Sequence, residues 1–72
     1  MLEKGEIIQQ DLLKAENYLK KFLKQNDSRV QYLYGKVIKK LNKYSIAREY
    51  FMKSAQNGNY DSMYEYGIML FF

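Results

Sequence analysis

Apolar and polar positions alternate along this chain with a helical period almost throughout. From Glu6 to Gln25, Ile7, Ile8, Leu12, Ala15, Leu19, Phe22 and Leu23 recur at steps of three and four, which predicts an amphipathic helix over 6–25 with a Lys-rich outer face. Asn26-Asp27-Ser28 interrupts the pattern and supplies side-chain oxygens to cap a second helix over 29–41, whose stripe is Val30, Tyr34, Val37, Ile38 and Leu41. A tight turn at Asn42-Lys43 leads to a third helix over 44–57, with Ala47, Tyr50, Phe51, Ser54 and Ala55 inward. Gly58 stands where a left-handed C-terminal cap is expected. A fourth helix over 60–72 places Tyr66, Gly67 and Leu70 on one side, and Ser62 with Glu65 has the spacing of a capping box. Short connections make consecutive helices antiparallel neighbours, so the expected class is all-α.

The helices also repeat. A shift of 32 residues places Ala15 on Ala47, Tyr18 on Tyr50, Lys21 on Lys53, Tyr32 on Tyr64, Tyr34 on Tyr66 and Gly35 on Gly67. Apolar class agrees at Leu19 with Phe51, Leu23 with Ala55, Val37 with Met69 and Ile38 with Leu70, so the register follows the buried faces. Periods of this size belong to helix pairs that stack, each burying its apolar face on the next.

The run from Ala47-Arg48-Glu49-Tyr50-Phe51 through Ser54-Ala55-Gln56-Asn57-Gly58-Asn59, followed by Ser62-Met63-Tyr64-Glu65-Tyr66-Gly67, resembles the Sel-one-like repeat, a relative of the tetratricopeptide repeats. An earlier copy runs from Ala15 to Gly35, so the resemblance covers about residues 11 to 72. It implies antiparallel helix pairs stacked as a short right-handed α-solenoid of about four helices, acting as a scaffold that binds proteins. A helix-interior glycine costs about 1 kcal/mol relative to alanine, so Gly35 and Gly67 each call for a packing reason, and close helix approach is the one expected. The sequence stops one helix into a second pair, which sets the expectation of a segment of a longer array, marginal or self-associating through its C-terminal helix.

Composition narrows the chemistry. Seventy-two residues without proline and with four glycines form one small domain, of a size at which only about 60% of the unfolded surface is buried. Cysteine and histidine are absent, so the sequence offers no Cys-His or Ser-His nucleophile and no ordinary zinc ligand set; no cofactor or metal site is expected. Asp61 and Glu65 lie one helical turn apart and read as a solvated face. The glycines lack any phosphate-binding spacing. The chain is therefore expected not to be an enzyme. No signal peptide or transmembrane span is evident, which favours a cytoplasmic setting.

Charge adds a candidate surface. The net +4 is concentrated between Lys14 and Lys53, where eleven bases face Glu16, Asp27 and Glu49. Arg29, Tyr32, Lys36 and Lys39 fall at three- and four-residue steps on a face separate from the apolar stripe, with Tyr64 the repeat equivalent of Tyr32. These five are the candidate partner-binding residues, suited to an acidic protein or peptide. Nucleic-acid binding by the basic strip and membrane-surface binding by Ile7 to Lys24 are the alternatives.

Overall fold

Capping chemistry sets the boundaries of a helical chain in the computed structural model, which describes the backbone of residues 3–71 and the side chains of residues 10–71. The four helices are α1 (Glu3–Lys20), α2 (Ser28–Lys40), α3 (Tyr44–Gln56) and α4 (Tyr60–Met69), with no strand among the described residues, so the fold is all-α. The side chains of Ile7 and Ile8, and all of Phe72, lie outside the described residues.

Each turn has a local cause. Asp27, in extended backbone, accepts a 2.8 Å hydrogen bond from the Arg29 amide and starts α2. Asn26 and Asn42 adopt φ of 55° and 65°, the left-handed region that asparagine tolerates, and Gly58 closes α3 at φ 93° as expected from its position. Two expectations are corrected. The first helix ends at Lys20 rather than 25: Lys21 and Phe22 donate to the carbonyls three residues back, and a 3-10 turn at Leu23–Gln25 tightens the chain so that Leu23 packs against the core. The capping box does not form either. Asn59 caps α4 by accepting from the Ser62 amide at 2.9 Å, which frees the Ser62 hydroxyl and the Glu65 carboxylate for other helices.

The core is made by α2, α3 and the near side of α4: Tyr34, Ile38, Ala47, Phe51 and Met69 are buried, with Leu19, Leu23, Leu41, Tyr50 and Tyr66 packed around them. α3 packs most extensively on α2, then α4 on α3, and α1 on α2. Gly35 permits the first contact. A Cβ at this position would stand 2.9 Å from Cε1 of Phe51, so the glycine is a notch that receives the ring. Tyr34 meets Tyr50 edge-on at 4.7 Å between centroids.

Polar side chains lock the same helices together. Ser62 Oγ donates to Ser54 Oγ at 2.7 Å and Ser54 Oγ donates to the Ser28 carbonyl at 2.6 Å, linking α4, α3 and α2. At the neighbouring end, Asn57 donates to Gln31 at 3.0 Å and Gln31 donates to Asn26 at 2.9 Å, so the buried Gln31 amide is satisfied.

The last helix departs from the expected facing. Met69, not Leu70, turns to the core: Met69 is 2% exposed and Leu70 57%. Gly67 has nothing within 4 Å of where a Cβ would stand. Their repeat equivalents Ile38 and Gly35 are buried because α3 lies on them, whereas among the described residues no helix lies on the corresponding side of α4. The molecule is accordingly a thin slab, 40 × 29 × 16 Å, in which each helix keeps a face in solvent. No helix among the described residues is long and apolar enough to cross a membrane.

Candidate functional site: grooves around Lys36

α2 is half core and half surface, and its outer half carries the candidate residues. Arg29 and Lys36 are exposed, Tyr32 and Lys39 half-buried. Tyr32 leans its ring on Phe51, 6.1 Å between centroids, while Lys36 Nζ lies 5.4 Å above the same ring. The tyrosine is thus part of the wall of the core and also the platform that holds the Lys36 ammonium.

Lys39 has a different situation. Its ammonium pairs with Glu65 of α4 at 3.1 Å, with the two side chains only 31% and 17% exposed. Much of its charge is therefore answered inside the chain, and it ties α4 to α2 besides offering a donor to a ligand. Glu65 was read in the sequence as part of a solvated face; it is half-buried by this pairing. Tyr64 does not join the others: it is 71% exposed and lines a groove on α4 with Met63, Gly67, Ile68 and Phe71. Arg29, Tyr32, Lys36 and Lys39 thus share α2, and Tyr64 lines a separate groove on α4.

Two grooves meet at Lys36. One, about 390 Å³, runs between α1 and α2 with an apolar floor of Leu12, Ala15, Leu19, Leu33 and Val37 and a rim of Tyr18, Lys36 and Lys40. The other, about 300 Å³, lies toward the α2–α3 turn and is bounded by Lys36, Lys39, Lys40, Asn42, Tyr44 and Glu65. Sequence reasoning missed Leu33, exposed at 49%, and Lys40, because both fall off the helical stripe that was used to separate core from surface. Steps of three and four residues from Leu33 to Lys36 and Val37 were the available signal.

A titratable cluster lies beneath this face. Glu16 is buried, faces Lys43 at 3.6 Å, and stands against Tyr34. Burial first, then the Glu16 charge, then the neighbouring Tyr50 and last a hydrogen bond with Glu16 hold the Tyr34 hydroxyl above the usual tyrosine range. The protonated hydroxyl thus faces the Glu16 carboxylate where α1 lies on α2. Among the described residues no three acidic, histidine or cysteine side chains are grouped to hold a metal ion.

Fold and surface together define a small all-α protein with lysine-rimmed grooves between neighbouring helices. Comparison of the chain with protein families, curated proteins and solved structures gives no match.

Proposed function

We propose that this chain is a protein-interaction scaffold of the Sel-one-like, tetratricopeptide-related kind, its helix pairs forming a short right-handed solenoid that binds an acidic peptide and catalyses nothing. The observation that carries the reading is Lys36 on the rim of both grooves, held over Tyr32 and beside an apolar floor. An amphipathic peptide with apolar residues on one side and carboxylates on the other meets both features at once. The 32-residue register supports the repeat class, since the same small and aromatic positions recur on alternate helices. The proposal includes a cytoplasmic setting.

Binding of a fluorescein-labelled helical peptide carrying Leu and Glu at alternate turns, against its Lys-for-Glu counterpart, tests it by anisotropy. The acidic peptide binds more tightly, and Lys36→Glu weakens it about tenfold, the equivalent of roughly 1.4 kcal/mol. Lys39→Glu acts less specifically because it also breaks the pair with Glu65. Equal binding of the two peptides, or no effect of Lys36→Glu, refutes the groove. Binding of a single-stranded oligonucleotide that collapses with salt, in preference to either peptide, transfers the surface to nucleic acid.

A further inference from the structure

Half of the exposed large hydrophobic side chains of the described residues sit on α4 and the turn after it: Tyr60, Met63, Tyr64, Leu70 and Phe71, five of ten. Their arrangement is not random. Shifted back by 32 residues, Met63, Gly67, Leu70 and Phe71 become Gln31, Gly35, Ile38 and Lys39 of α2. The first three of those are buried, and Gly35 is the notch that takes Phe51 of α3. α4 therefore displays, uncovered, the counterpart of the face on which α2 receives α3, and the display is more apolar than the buried original.

The other end of the chain offers the counterpart of α3. Ala15, Tyr18, Leu19 and Phe22 in and just after α1 occupy the register positions of Ala47, Tyr50, Phe51 and Ser54. Tyr50 is half-buried against Tyr34, but Tyr18 is 61% exposed and touches Phe22 of its own segment at 5.2 Å. Charge matches as well. Residues 54–72 contain no base and two acids, the exposed Asp61 and Glu65, which is already paired with Lys39, while 14–24 contain Lys14, Lys20, Lys21 and Lys24, all exposed, with the buried Glu16 as the only acid.

We propose that α4 is the receiving face of a head-to-tail contact between copies of this chain, in which α1 of a second copy lies on Met63, Gly67 and Leu70 as α3 lies on α2. Tyr18 of the incoming copy rests against Tyr66, the equivalent of Tyr34, and the side of Leu19 that its own core leaves uncovered faces the notch at Gly67. The two contacting faces are different surfaces, so the association is heterologous and grows as an open row rather than closing as a symmetric dimer. The donating face shares Ala15, Tyr18 and Leu19 with one wall of the α1–α2 groove but does not include Lys36, so Lys36→Glu, which weakens the peptide, leaves the contact between copies intact and keeps the two readings distinguishable.

Sedimentation velocity of the chain and two variants tests it. Gly67→Arg fills a position with nothing within 4 Å, so the monomer keeps its fold while the notch is blocked. Tyr18→Glu blocks the opposite face at an exposed site. The native chain gains mass from micromolar to millimolar concentration without a plateau at the dimer. Each variant alone stays at 8.7 kDa with native far-UV circular dichroism. An equimolar mixture of the two forms a heterodimer and stops there, because only one competent pair of faces remains. A native chain that is monomeric at every concentration overturns the proposal and assigns the α4 face to a different occupant. So does a Tyr18→Glu chain that dimerises alone, which would mean a symmetric α4 contact, or a mixture that stays monomeric.

Discussion

Gly35 and Gly67 are repeat equivalents in the same position of two helices, and substituting each by alanine should move stability in opposite directions. Alanine gains about 1 kcal/mol of helix propensity over glycine in a helix interior. At Gly67 the new methyl meets nothing within 4 Å, so this gain appears in full or nearly so, raising the melting temperature by roughly 4–8 °C in a domain of this size. At Gly35 the methyl would stand 2.9, 3.0 and 3.2 Å from three atoms of the Phe51 ring. That ring is fully buried and edged by Tyr32, so it cannot swing away, and overpacking of this kind costs about 1–3 kcal/mol. The net effect at Gly35 is then between neutral and about 2 kcal/mol destabilising, and the two variants differ by about 1–3 kcal/mol. Urea titration followed by far-UV circular dichroism, at low protein concentration to keep association out of the comparison, measures both. Equal stabilisation by the two alanines would refute the notch. Adding Phe51→Leu to Gly35→Ala supplies a second check, since the double variant should lose less than the sum of the singles if the clash is the cause.

Two further outcomes follow from polar groups in the core. Ser54→Ala removes the link between Ser28 and Ser62 and leaves a carbonyl and a hydroxyl without their partner, a loss of about 1–3 kcal/mol by thermal unfolding; a change near zero would mean that the serine chain contributes nothing. The raised Tyr34 ionisation makes stability fall in alkali: the hydroxyl is favoured protonated in the fold, so its contribution is complete below the ordinary tyrosine range and is lost as pH rises through the folded value. Tyr34→Phe should flatten that part of the pH–stability curve, and an unchanged curve would show that the descent comes from other groups.

The helices were legible in the sequence because their signals are local. Asp27 and Gly58 act within one turn of their own position, and the stripe from Val30 to Leu41 reports one face of one helix. Leu70 was misplaced because periodicity gives a direction only when something lies in that direction, and the neighbour that covers Ile38 has no counterpart for Leu70 among the described residues. The burial of Glu16, Gln31 and Glu65 was not legible for a related reason. Each is a polar residue that is buried or half-buried only because a partner 18, 26 or 27 residues away meets it, and such partners depend on how helices cross. Of the candidate surface, Tyr32, Lys36 and Lys39 came together because they share a single helix. Tyr64 lines a groove of its own on α4, since repeat equivalence transfers a residue's place on its helix and not the environment of that helix.

The serine chain from Ser62 through Ser54 to Ser28 bears on more than cohesion. Apolar helix faces fit one another at several rotations and at steps of a turn, so grease alone leaves phase poorly specified. A hydroxyl that must hand its proton to one oxygen admits a single phase, and this one runs through three helices in succession. In the preceding unit the positions of Ser54 and Ser62 are held by Phe22 and Val30, and the index is missing. α2, α3 and α4 are therefore keyed like gear teeth, while α1 sits on a smoother bearing, anchored by Glu16 and free of any comparable serine key.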